Sequence, residues 1–400
     1  MTTRRTSDGL PLVLKFGGSA FADLDGYHRV ARYAVRRVTE EKRPLVVVAS
    51  AMSGTTGRLQ QTLDALVEDP PADAAAMLLT TGETVSVALL AAALDAEGVT
   101  ARPLPAAGTG LLAEGPGDRA RLLSAAPGTL AEALAGCPVV VVPGGQAVDA
   151  DGRTVMLGRN SSDLSAVAAA AALASDTCEL FSDVPGVCTA DPYLVPEART
   201  LSRISYEGVR RMSRHGAKVV HEGAVDWAER GGVRLLCRPF PWYDEGPDGG
   251  TAVGTGPEAA AVVVHKNSDV WCFRSARERR AAGERLWADG LTVVEFDTAG
   301  EACLTVPTAV RGVARHLRAA RRLDDLCLVT TLWPDGSTEH TVVPRPEAAA
   351  EARRRHALLY PDPGNTPGPA VPPPVKARSP HSDVLVGPTR PRPTENSPLT

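Results

Sequence analysis

No excess of positive charge runs through this sequence: 43 Lys and Arg against 47 Asp and Glu leave a net charge of −4. A chain so balanced has no global basic field to recruit nucleic acid or an acidic membrane surface. Two basic runs, "VRRMSRHGAK" and "RSARERRAAGER", are local, and at helical spacing they read as solvated helix faces. Also missing is any Cys-x-x-Cys pair. Cys137, Cys178, Cys188, Cys237, Cys272, Cys303 and Cys327 stand apart in apolar surroundings, which argues against a zinc site and a disulfide framework and for reduced thiols. No apolar run of signal-peptide length accompanies the N-terminal arginines, and the Ala-rich stretch from Ala166 to Ala174 is too short to span a bilayer. Together these absences predict a cytoplasmic protein with no membrane or nucleic-acid partner.

What is present is enough apolar residue, 44% of 400, for a sizeable core and two or three domains. Short β-branched runs such as "PLVLKF", "PLVVVASAM", "CPVVVVPGG", "CELFSDV" and "VRLLCRP" alternate with Ala/Leu-rich helical segments. Strands apolar at every position, alternating with helices, predict an α/β fold with a mostly parallel sheet sandwiched by helices. Ligands of such sheets bind at the carboxyl ends of the strands. The chain's glycine- and serine-rich stretches lie there.

The first is "VLKFGGSAF", where an apolar strand ends in Lys15 and runs into Gly17 and Gly18. Consecutive glycines leave backbone N–H groups open to an anion, and the lysine adds a point charge. The pair matches neither the P-loop nor the Rossmann fingerprint, so alone it is equally an ordinary turn with Lys15 in solvent. A second stretch, residues 157–221, sets Gly158, Arg159, Ser162 and Asp163 at a helix start, with Ser162 or Asp163 as the N-cap. "SDVPG" follows a strand, and a "TADP" loop and a late "GAK" come after it. A helix N-terminus suits a carboxylate or phosphate, and an arginine can grip a carboxylate with two parallel bonds. Each piece alone is also a capped helix or a tight turn.

Taken in order, the pieces resemble the aspartokinase branch of the amino acid kinase family over residues 11–255. The Lys-Phe-Gly-Gly-Ser opening is matched by Lys15 through Ser19, and the Ser-Ala-Met-Ser-Gly-x-Thr loop by Ser50 through Thr56. Gly82 and Glu83 match the family's Gly-Glu helix start, and Gly158, Arg159, Ser162 and Asp163 its Gly-Arg-Gly-Gly-Ser-Asp turn. Asp183, Val184, Gly186, Thr189, Asp191 and Pro192 match its nucleotide segment, and Gly216 to Val219 its Gly-Ala-Lys-Val.

The resemblance implies ATP-dependent phosphorylation of the side-chain carboxylate of L-aspartate, with ATP and Mg2+ as cofactors and no dedicated protein metal site. It implies Lys15, Asp163 and Lys218 as the catalytic set. Gly17, Gly18, Ser19, Ser182, Asp183, Asp191 and Lys218 would hold the nucleotide, and Ser50, Thr56, Glu83, Arg159 and Ser162 the amino acid. Two other readings stay open: a diverged paralogue phosphorylating another amino or carboxylic acid, and a non-catalytic nucleotide-binding relative. The chain departs from the pattern at Asn160 and Ser161, where the family has glycines. It departs again at Cys188, in place of an aromatic, and at Tyr193, in place of a basic residue, where the tyrosine offers a substitute stack. "VHEGA" follows the late lysine where the family tends to Leu-His-Pro-Arg.

Near residue 250 the texture changes at "YDEGPDGGTAVGTGPEA". Beyond it a β-α-β-β-α order, with its second helix around "VRGVARHLRAA", predicts one small α+β unit over 260–345. The resemblance makes this a single or degenerate ACT-like domain or a dimerisation module, in an expected homodimer. Residues 1–10 read as a flexible start and the Pro-rich residues 360–400 as a disordered tail.

Overall fold

The computed structural model describes residues 9–158, 160–240, 249–289, 291–308 and 313–361. Arg159, the first eight residues and residues 362–400, which hold all but the first two residues of the expected tail, lie outside the described residues.

An eight-stranded sheet forms the centre of the first two-thirds. Its order is Arg203–Ser205, Thr251–Gly254, Arg234–Pro239, Thr177–Ser182, Leu12–Phe16, Leu45–Ala49, Val139–Pro143 and Ala101–Pro103. The six strands from Arg234–Pro239 to Ala101–Pro103 are parallel, and Thr251–Gly254 runs against them. Every residue of Leu45–Ala49 and Val139–Pro143 is buried, as strands covered on both faces must be.

Strand alternation decides which face each side chain meets. Leu12, Leu14 and Phe16 pack with Tyr27, Val30 and Leu90 of the helices Leu24–Glu41 and Thr81–Ala96. Val13 turns the other way, into the core built with Ala166, Val167 and Ala170 of the helix Ser162–Ala172. Lys15 follows Val13 by two, so alternation aims it at the start of that helix. One helical stretch, Ala72–Ala96, is by length and composition apolar enough to cross a membrane, yet half of its apolar window is buried in the protein. Its second half, "TVSVALLAAALDAEG", reads in the sequence as a buried helix, and Val87, Leu90 and Leu94 are buried.

A second small sheet joins Arg121–Ala125, Leu111–Glu114, Gln146–Val148 and Thr154–Met156. These strands run three to five residues, too short for a periodicity signal, and the sequence reading missed them.

The C-terminal region holds two sheets. One has the order Glu295–Thr298, Glu301–Pro307, Ser268–Phe273, Arg321–Leu323, with the helix Ala276–Ala288 after its first strand in sequence. The other joins Ala261–Val264, Leu326–Leu332 and Thr338–Pro344, and the helix Ala348–Leu359 lies against it. The second expected helix is, among the described residues, only the 3-10 turn Val313–His316, and the helix Ala348–Leu359 was not foreseen.

Two further expectations are corrected. Cys272 and Cys303 form a disulfide, while the other five cysteines are free and buried. The two oppose each other on adjacent antiparallel strands, a proximity created by register that their 31-residue separation conceals. The run "VRRMSRHGAK" is not a solvated face, because Arg210 is 9% exposed and holds Glu207, Asp226 and Glu229 together.

Candidate active site

Lys15 Nζ lies 2.7 Å from Asp163 Oδ1, both side chains largely buried. The first comes from the carboxyl end of a central strand and the second from the first turn of the helix Ser162–Ala172, where an acid also suits the helix dipole. Neither Ser162 nor Asp163 is the N-cap, as the sequence suggested. Ser161 holds that position without a side-chain cap bond.

Gly17 N donates to Phe181 O, 3.2 Å away, tying the glycine turn to the neighbouring strand. A Cβ on Gly17 would stand 3.7 Å from Lys15 Nζ, and one on Gly18 would stand 3.0 Å from Ala51 O. The turn therefore keeps the space beside the Lys15 ammonium clear, which suits an anionic group. Ser19 is the second residue of the short 3-10 turn Gly18–Phe21. Ser182 ends the adjacent strand on the same sheet face as Cys178 and Leu180, the face toward which Lys15 points.

On the other side of the glycine turn, Ser50 Oγ and Ser162 Oγ are 3.0 Å apart. Close packing demands the neighbouring glycine: a Cβ on Gly144 would meet Ser162 Cβ at 2.6 Å. Thr56 lies in the first turn of the helix Thr55–Leu66, half-buried. Glu83 sits in the first turn of the helix Thr81–Ala96, and burial pushes its carboxyl up to about 7 against the opposing hydrogen bonds. Gln146 Nε2 donates to Thr80 O at 2.7 Å and approaches Glu83 Oε2 at 3.4 Å. Gln146 was missed in the sequence; its only signal was its place straight after the strand-ending Gly144 and Gly145.

At the turn before the helix Ser162–Ala172, Asn160 and Ser161 depart from the family pattern. Asn160 has φ 61°, a left-handed conformation that glycine adopts freely and asparagine tolerates better than most residues. Ser161 is 1% exposed and its hydroxyl donates to Gly158 O at 2.7 Å, so it faces the protein.

Asp183 and Asp191 stand in the loop after the strand Thr177–Ser182. Tyr193 clasps that loop: its hydroxyl donates to Asp183 O and Oδ2 at 3.2 and 3.1 Å, and its N–H to Asp191 Oδ1 at 3.0 Å. Burial, then the Asp183 charge, raises the phenol's pKa. Tyr193 thus serves as a clasp across the loop. Cys188 is buried and bridged to Thr200, not presented as a stacking surface.

Lys218 stands exposed on the loop between the helices Tyr206–Arg214 and Glu222–Gly231. The far end of that loop reaches the site's edge: His221 feels the Asp163 charge, and a Cβ on Gly223 would meet Leu164 at 3.5 Å. Lys15, Gly17, Asp163, Ser50 and Ser162 are thereby brought to one place, with Glu83 flanking them. Arg159 lies outside the described residues.

The family model described as the amino acid kinase family matches residues 11–238. The chain belongs to the amino acid kinase family. Among curated members, an aspartokinase of Thermus thermophilus is 40% identical over 235 residues, 59% of this chain and 58% of that one. The Mycolicibacterium smegmatis aspartokinase is 40% identical over 231 residues, 57% of this chain and 54% of its own. The aligned stretch thus spans less than three fifths of these relatives' length. E. coli aspartokinase III, solved with aspartate and ADP, superposes at a TM-score of 0.67 and 20% identity, covering 87% of this chain and 99% of that one. At that identity the likeness establishes the shared kinase fold.

Proposed function

We propose that this family member transfers the γ-phosphoryl group of ATP to the side-chain carboxylate of L-aspartate, giving 4-phospho-L-aspartate. The observation that carries the reading is the Lys15–Asp163 pair beside an unobstructed glycine turn. Resemblance to aspartokinases at about two residues in five supplies the acceptor.

Phosphoryl transfer asks for alignment and neutralisation of charge more than for covalent help. In this reading an aspartate side-chain oxygen attacks the γ-phosphorus, the bond to the β,γ-bridging oxygen breaks, and ADP leaves. Lys15, held by Asp163, meets charge on the transferring group, and Lys218 meets it from the nucleotide side. No general base is required, because the acceptor is already ionised at neutral pH. Among the described residues no cluster of three or more His, Cys, Asp or Glu could cage a metal. An Mg2+ would be carried mainly by phosphate oxygens, with Asp183 or Asp191 as the acidic neighbours, and would neutralise phosphate charge.

For the amino acid, Arg159 would take the α-carboxylate and Glu83 the α-ammonium, with Ser50, Thr56 and Ser162 donating hydrogen bonds. The inward-turned Ser161 and the left-handed Asn160 support aspartate over a re-cut pocket, since Ser161 keeps its hydroxyl on the protein and Asn160 adopts a conformation open to glycine. Release of ADP against a panel of amino and carboxylic acids tests the reading, with aspartate expected to be the best acceptor. Strong turnover with another acid alone would favour the diverged paralogue.

Glu83 makes this pocket pH-dependent. Its carboxyl titrates at about 7, and an ammonium partner needs the ionised form. Aspartate binding below pH 7 must therefore expel a proton, and KM for aspartate is expected to rise roughly tenfold per pH unit as pH falls below about 7. Glu83→Gln should raise KM at pH 8 and flatten the profile. An unchanged slope in that variant would remove Glu83 from ammonium binding.

We also read the C-terminal region as ACT-like, with a role in regulation or homodimer formation. Support comes from the four-stranded sheet, whose strands, counted in chain order, stand second, third, first, fourth, with a helix after the first. Its second helix is reduced to a 3-10 turn.

A further inference from the structure

One place where the C-terminal region meets the kinase domain is a three-residue turn. His265, Lys266 and Asn267 join the strands Ala261–Val264 and Ser268–Phe273, and the first two each touch a different loop of the kinase domain. Lys266 Nζ lies 2.5 Å from Asp191 Oδ2 in the loop that follows the strand Thr177–Ser182. The His265 ring lies close against Gly216, the first residue of Gly-Ala-Lys: a Cβ there would stand 2.8 Å from His265 Nδ1. Gly216 also has φ +86°, so both its conformation and its neighbour require glycine.

The turn itself is held from behind. His265 N donates to Leu328 O at 3.0 Å, and Arg345 donates to Lys266 O and Ser268 O at 2.9 and 3.1 Å. His265 Nε2 is hydrogen-bonded to Thr330 Oγ1 at 3.0 Å, and Thr330 Oγ1 to His340 Nδ1 at 3.1 Å. Burial, then the neighbouring His340 and His215, pushes His265 down to about 3, so the ring is neutral and packs without bringing a charge. More contacts hold the Asp191 loop from the same side. Thr189 Oγ1 is hydrogen-bonded to buried His356 at 2.8 Å, Val262 N donates to Thr189 O at 2.9 Å, and Arg353 Nε donates to Leu194 O at 2.9 Å. Ala190 and Val195 of this loop share one apolar cluster with Val262, Val329, Ala348 and Ala352.

We infer that the His265–Lys266 turn positions both loops of the nucleotide side, Lys266 through Asp191 and His265 through Gly216, so that the C-terminal region sets ATP affinity and the placement of Lys218. This rests on the reading above that these loops serve ATP. The ion pair is half-exposed and contributes little to global stability, so its effect is expected in function and not in melting.

The test uses the full chain with Lys266→Met, Lys266→Arg and His265→Ala, with ATP binding measured by calorimetry and kinetics measured for both substrates. Lys266→Met is expected to weaken ATP binding about three- to tenfold, leaving the amino-acid KM within about twofold and the melting temperature unchanged. Lys266→Arg should restore ATP binding, and His265→Ala should act mainly on kcat. ATP affinity unchanged in Lys266→Met would overturn the inference and leave the kinase reading standing. A parallel loss of both substrates with a lowered melting temperature would reduce the turn to a structural contact and also overturn it. A wild-type chain that binds no ATP would end both readings. If His265→Ala fails to fold, the two Lys266 variants decide the matter alone.

Discussion

Lys15→Ala is expected to lower kcat by about 10²–10³-fold, the cost of removing one preorganised group that meets transition-state charge. The melting temperature should change little, because the side chain lies at a strand end and not in the apolar core. Asp163 would lose its 2.7 Å partner but keeps some access to solvent, which limits the penalty. Lys15→Arg should rescue poorly, since a planar fork does not replace a compact ammonium beside Gly17. KM for ATP should move far less than kcat if the lysine acts on charge developing during transfer. A kcat within threefold or so of wild type would remove Lys15 from the chemistry.

The second large effect concerns stability and lies on the opposite face of the sheet. Glu179 is 3% exposed in the strand Thr177–Ser182. Arg37 reaches it with two hydrogen bonds, at 3.0 and 2.7 Å, and Arg238 lies 3.0 Å away. Arg37 also donates to Tyr33 Oη at 2.7 Å, and burial followed by the Glu179 charge raises that phenol's pKa. Glu179→Ala would leave largely buried guanidinium groups without their carboxylate and open a void beneath the helix Leu24–Glu41. Removing one partner of such a buried pair typically costs about 3–5 kcal/mol. For a domain of this size that corresponds to a fall in melting temperature of roughly 6–20 °C. Because Glu179 points away from Lys15, the fraction that remains folded should keep its kcat. A shift under about 2 °C would show that the pair is not holding the sheet.

How much of this was legible in the sequence differs by kind of signal. The central strands were, because five consecutive buried positions in "LVVVA" and "VVVVP" leave no polar face to hide. The glycine-marked turns of the candidate site were, because glycines mark close approach, and Gly17, Gly18, Gly82 and Gly144 do lie against neighbouring backbone or side chains. The Asn160 departure reads as an obstruction in the sequence, and only its φ of 61° shows that it sits in the left-handed region glycine favours. Contacts made by register or by distant segments left no local trace. Cys272 and Cys303 meet across two strands, Gln146 reaches Glu83 across 63 residues, and Lys266 finds Asp191 across 75. The helix Ala348–Leu359 was hidden for a different reason: its charged "EARRRH" stretch shows little apolar periodicity, yet Ala348 and Ala352 bury against the strand Ala261–Val264 and its neighbours.

The central claim is that the acceptor is the side-chain carboxylate of aspartate, and the position of the acyl phosphate tests it most directly. The full chain is incubated with ATP, Mg2+ and L-aspartate in the presence of hydroxylamine, and the trapped product is identified by mass spectrometry and NMR. The account predicts the side-chain hydroxamate, formed in step with ADP and lost in Lys15→Ala. An α-carboxyl hydroxamate, or no aspartyl product beside abundant product from another acid, would contradict it.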